Sequence, residues 1–128
     1  MAGVHTLKNT HGEVVLKIYS DSSSGSTEQI ELSSADVKLP NETFVQGTSK
    51  LTIREVFWGA KKDKQIDVTR VNDPVANTVH GHYYLLNTGH YNFIGFVDDT
   101  YANCAIRVIG DGPYHCILRF SKEGYTIT

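Results

Sequence analysis

Residues 51–71 read LTIREVFWGAKKDKQIDVTRV, two runs of β-branched and aromatic residues either side of a short, basic, Gly-containing connector. The first run holds the only Trp of the chain, Trp58. The arrangement predicts a hairpin. Leu51 and Ile53 alternate with Thr52 and Arg54, but Val56, Phe57 and Trp58 then follow in a row after Glu55. The inward phase must therefore shift near Arg54 and Glu55, as at a β-bulge or at a strand end buried on both sides. On the return run Ile66 and Val68 alternate with Asp67 and Thr69, the pattern of a strand with one dry and one wet face.

More strands extend outward from this pair. Val14, Leu16 and Ile18 alternate with Val15, Lys17 and Tyr19, and Ile30 and Leu32 face inward from a run at 28–33, beyond a polar loop, DSSSGST, at 21–27. Between 35 and 49, Val37 and Leu39 are placed to cap the core, Pro40 stops any ladder, and Phe44-Val45 is a short edge strand. Residues 71–79 contain Asn72-Asp73-Pro74 and read as a loop or bulged edge. A second hairpin is expected between 81–87 and 91–97, with Gly95 at a bulge, and a third between 105–109 and 114–120, joined by Gly110-Asp111-Gly112-Pro113. A last half-strand covers 125–128. The fold class is all-β: an antiparallel β-sandwich or small barrel of about 7–9 short strands with an N-terminal arm. The arm is residues 1–12, and 13–128 form a single β-sandwich domain.

Composition sets outer bounds. At 128 residues the chain buries roughly two thirds of its unfolded surface and needs no covalent staples. Its formal net charge is −2, with 12 Lys and Arg scattered against 14 Asp and Glu, so no nucleic-acid partner is expected. The first twenty residues lack an apolar signal core, and no apolar run reaches membrane length, so no membrane partner is expected and synthesis in a cytoplasm is the default. Cys104 and Cys116 are expected to stay reduced: with 110–113 as a hairpin loop, Cys104 falls opposite Arg119 and Cys116 opposite Arg107.

Candidate chemistry is sparse. His80 and His82 share a strand face, and His90 across the second hairpin would complete a three-His zinc set; the competing reading is surface or structural histidines, and it is preferred. Asp98, Asp99 and Asp111 sit in turns, where local backbone bonding accounts for them. There is no nucleophile elbow and no glycine-rich phosphate loop. Trp58, Tyr83, Tyr84, Tyr91 and Tyr101 would suit a sugar-binding platform, yet such rings equally pack cores and interfaces. No catalytic, cofactor or metal site is assigned, and the chain is read as a non-enzyme without cofactors.

HTLKNTHGEVVLKIY at 5–19, IREVFWGAKKDKQIDVTRV at 53–71 and TGHYNFIGFVDDT at 88–100 resemble, in the same order, segments of small virion structural proteins of tailed phages, marine and cyanobacterial ones in particular. The resemblance implies a non-enzymatic β-sandwich on a virion: a capsid decoration (cement) protein that binds the major capsid protein and copies of itself, as a homotrimer or other symmetric oligomer on the capsid surface. The alternatives are a neck or tail accessory, or a lectin-like carbohydrate-binding module. In the arm, Val4 and Leu7 are interface candidates, held against a neighbouring subunit by strand addition or insertion into a groove. The competing expectation is that they begin an edge strand of their own domain.

Overall fold

A computed structural model describes residues 2–72, 78–92 and 102–128, with backbone alone for 72 and 78–82. Eleven strands are present among them: β1 (Ala2–Asn9), β2 (Glu13–Ser20), β3 (Ser26–Ile30), β4 (Glu42–Thr43), β5 (Lys50–Ala60), β6 (Gln65–Asn72), β7 (Thr78–Leu86), β8 (Thr88–Asn92), β9 (Ala105–Gly110), β10 (Tyr114–Glu123) and β11 (Thr126–Ile127). They form a five-stranded sheet in the order β1-β2-β10-β5-β8, a four-stranded sheet in the order β3-β9-β6-β7, and a small pair of β11 with β4. The pairings are antiparallel throughout. The strand count exceeds the expected range because β4, β8 and β11 are short closing pieces.

Strict alternation builds the core. On β10 Tyr114, Cys116, Leu118 and Phe120 are buried, and their pairing with β2 sets them beside Val14, Leu16 and Ile18. The facing sheet supplies Ile30, Ile66, Val68, Leu85, Ile106 and Val108 to the same cluster, which makes the molecule a sandwich. Each such side chain contributes about 1.5–3 kcal/mol by leaving water. Val37 enters this core, whereas Leu39 is half-buried. The central strand is β10, flanked by β2 and β5. On β5 the register slips where Arg119 faces Glu55 and Phe120 faces Ile53, leaving Arg54 as the extra residue of a bulge, as the run of Val56, Phe57 and Trp58 requires.

All three expected hairpins are corrected. β5 and β6, β7 and β8, and β9 and β10 follow one another across short connections, but the members of each pair lie in different sheets. Lys61–Lys64 and 111–113 carry the chain from one sheet to the other, and between β7 and β8 a single residue, Asn87 at φ 62°, makes the crossing. Turn residues reverse the chain in either case; what differs is whether the returning strand stays beside its predecessor or stacks on it, and here the two apolar faces must close on one another. The strand segments expected at 91–97 run into residues outside the described set, as does Gly95.

Other expectations change in part. The arm is a strand: β1 pairs with β2 from Ala2↔Ser20 to Asn9↔Val14, and Thr10-His11-Gly12 is the turn between them. Val4 lies opposite Ile18 and packs on the core, while Leu7 is the unpaired residue of a bulge and is exposed. Those residues thus form the edge strand of their own domain. The short strand near 44 falls at Glu42–Thr43, paired with Ile127 and Thr126, while Phe44 turns in against Tyr125. Of the loop or bulged edge expected at 71–79, the described part is an edge: β6 and β7 pair as far as Asn72↔Thr78, with a register slip between Val68 and Arg70, and 73–77 lie outside the described residues.

Candidate functional site

Among the described residues β7 and β8 are edge strands of the two sheets and meet along one flank of the sandwich. A cleft of about 440 Å³ opens there, lined by Trp58, Tyr83, Tyr84 and Tyr91 over an apolar floor that includes Val56 and Leu118. Its volume is in the range of small-ligand pockets. Trp58 is fixed: its Nε1–H donates to the Leu86 carbonyl at 3.0 Å, and Gly89 sits so close beneath the ring that a Cβ there would lie 2.4 Å from the indole. Tyr84 and Tyr91 form the exposed rim. Four of the five rings singled out in the sequence are thereby brought together; Tyr101 lies outside the described residues. No charged or amide side chain lines this cleft among the described residues.

The three-His set is not assembled by the expected route. β7, which carries His80 and His82, belongs to the four-stranded sheet, and β8, which carries His90, to the five-stranded one. The side chains of His80 and His82 lie outside the described residues. His90 stacks on Phe57 with ring centroids 4.2 Å apart, and its Nε2 is 2.7 Å from Glu55 Oε2. Arg119 Nε–H donates to the other oxygen of Glu55 at 3.0 Å. Hydrogen bonds from His90 and then Arg119 hold the Glu55 carboxyl below the ordinary range. Among the described residues no group of three His, Cys, Asp or Glu is arranged to hold a metal ion. Asp111 Oδ1 accepts the Gln65 N–H at 2.7 Å, a connector-pinning bond of the kind turn chemistry predicts; Asp98 and Asp99 lie outside the described residues.

A buried ionic knot was missed from sequence. Lys122 Nζ donates to Glu42 Oε1 at 2.6 Å and to Asn9 Oδ1 at 2.8 Å, and both ionic side chains are fully buried. Glu42 also accepts the Leu39 N–H at 2.7 Å, and His11 Nδ1 lies 3.0 Å from its second oxygen. Burial pushes this carboxyl up, but the bonds from Lys122, Leu39 and His11 outweigh it and leave it below its ordinary value. The knot joins the β1–β2 turn, the 38–43 segment and the end of β10. Its signal was present: Lys122 continues the inward phase of Cys116, Leu118 and Phe120. Arg70 is likewise buried at a register slip in β6 and donates to the carbonyls of Cys104 and Leu51, and Thr69, expected on the wet face, is buried beside it.

Both thiols are free. The expected pairings of Cys104 with Arg119 and Cys116 with Arg107 do not occur, because β9 and β10 lie in different sheets; Cys116 faces Ile18 and Trp58 across the ladder instead. Burial pushes the Cys116 thiol up to about 12 and raises that of Cys104.

No protein-family model and no curated protein matches the chain.

Proposed function

We propose that the chain is a non-enzymatic structural module of a tailed-phage virion, a capsid decoration protein that seats on the major capsid protein beside copies of itself. The observation that supports this reading is where the phage-like segments fall. Residues 5–19 cover the second half of β1 and nearly all of β2, 53–71 cover most of β5 and β6, and 88–100 begin with β8. Four of the five strands of one sheet, β1, β2, β5 and β8, therefore carry the resemblance. A module of this size gains little from one contact, so it works where several subunits meet and repeated weak contacts multiply.

A second reading, a lectin-like module, draws on the ring-lined cleft beneath Trp58. The lining weakens it: sugar recognition wants carboxylate or amide side chains beside the stacking ring, and those described are apolar or phenolic. Sedimentation velocity together with binding to purified phage heads tests the first reading. Self-association and saturable head binding are expected; a strict monomer that leaves heads bare would overturn it. Stoichiometric zinc in the purified protein would instead point to a metalloenzyme, and one clear sugar class on a glycan array to the lectin.

A further inference from the structure

The outer face of the five-stranded sheet is described across all five strands. In its rows, set by the register, His5, Lys17, Ile117, Phe57 and His90 lie side by side, and the next row runs Lys8, Val15, Arg119, Glu55 and Asn92. Val15, Ile117 and Phe57 are apolar positions on β2, β10 and β5, interleaved with Lys17 and the Arg119–Glu55 pair, and Phe57 is 41% exposed. Five cations share this face: Lys8, Lys17, Lys50, Arg54 and Arg119. Arg54, the bulge residue, is held over this face by its Nε–H bond to Ser121 Oγ at 3.1 Å.

Three carboxylates share the face, Glu13, Glu55 and Glu123. Two are engaged on it, Glu13 with Lys8 at 3.7 Å and Glu55 with Arg119 at 3.0 Å. The face thus carries a net +2 on a chain whose formal charge is −2, so the remainder of the molecule is acidic. Cations scattered through the sequence are collected here because period-two alternation on neighbouring strands sends them to one side.

The geometry points to this face as the docking surface for a flat, acidic patch on a partner protein. Apolar side chains interleaved with a net excess of cations suit an acidic protein surface, whereas a nucleic-acid backbone would call for a continuous track of cations. Its size agrees. Five strands at about 4.8 Å spacing and eight residues at about 3.3 Å rise give roughly 600 Å², somewhat less than the ~800 Å² per partner of a standard interface. One such contact is weak, and several together are not. The inference rests on the reading of the chain as a binding module and names the side that module uses.

The test is binding of the whole chain to a poly(Glu,Tyr) copolymer, with polygalacturonate at equal carboxylate concentration as the polysaccharide counterpart. The copolymer is expected to bind more tightly, and the binding to weaken steeply with salt. Lys17→Glu should weaken it by about fivefold or more, while Lys62→Glu, in the connector between β5 and β6, changes it by less than about twofold. Thermal melts of both variants should match the parent, since both side chains lie on the surface. Equal losses from the two variants, absence of copolymer binding, or equal affinity for polygalacturonate would overturn the inference. Failure here with intact head binding removes the face and keeps the virion reading; bare heads with Lys17-dependent copolymer binding do the reverse.

Discussion

Glu42 and Lys122 show what one buried pair does in a sandwich of this size. Glu42→Gln keeps the shape but removes the counter-charge of a buried ammonium, and should destabilise by about 3–5 kcal/mol in denaturant titrations. Adding Lys122→Met should recover part of that loss, because the penalty is the unpaired charge rather than the missing bond. The pH dependence has a definite sign. The folded-state carboxyl sits below its ordinary 4.5, so the stability it contributes is complete above pH 4.5 and fades as the pH falls through the lower folded value. The gap between parent and Glu42→Gln should accordingly be flat from neutrality down to there and shrink below it; a gap that widens on acidification would contradict this assignment. Two glycines give a matched contrast. A Cβ at Gly89 meets the pinned indole of Trp58 and one at Gly59 meets the exposed imidazole of His115, at 2.4 and 2.5 Å. His115 can swing into water and Trp58 cannot without losing its bond to Leu86, so Gly89→Ala should cost about 1–3 kcal/mol and shift the emission of the single Trp, and Gly59→Ala should do neither.

Among elements, the strands themselves were readable and their partners were not. Alternation located β2, β5, β6, β9 and β10, and even the bulge at Arg54, because side-chain period is a local property of the pleat. Gly110-Asp111-Gly112-Pro113 and the Lys61–Lys64 connector announce reversal, yet a reversal within one sheet and a crossing between two use the same turn residues. β1 stayed undecided between arm and edge strand for another reason: it turns Val4 onto the core but leaves Leu7 exposed at a bulge, and that spacing gives no period-two signal. The cleft rings were named in advance, but their meeting depends on Asn87 sending β7 and β8 to opposite sheets. β1 also supplies Asn9 to the buried knot, while Thr6 Oγ1 donates to the Asp36 carbonyl at 2.7 Å. Deleting residues 2–7 removes Val4, the Thr6 bond and most of the ladder to β2 while leaving Asn9, and should lower the melting temperature of the isolated chain by about 8 °C or more, roughly two to three kcal/mol for a domain of this length. An unchanged melt would mean that the strand is not part of the folded unit.

At the scale of the whole molecule, Cys116 reports on global opening. It is fully buried at the centre of β10, between β2 and β5, and its thiol is pushed up to about 12, so alkylation should proceed only through unfolding and track the global stability, with Cys104 reacting first. Equal rates at the two positions under native conditions would place β10 at an accessible edge. The same central strand organises the surface. Ile117 and Arg119 point outward between the rows of β2 and β5, and the cationic face exists because β10 holds those strands in register. The measurement that tests the account most directly is the position and orientation of the chain in the density of phage particles. Symmetric clusters on the head, each copy turning Lys17, Phe57 and Ile117 of its five-stranded sheet toward an acidic patch of the major capsid protein, are the predicted result; particles without the chain, or copies bound with that face open to solvent, would contradict it.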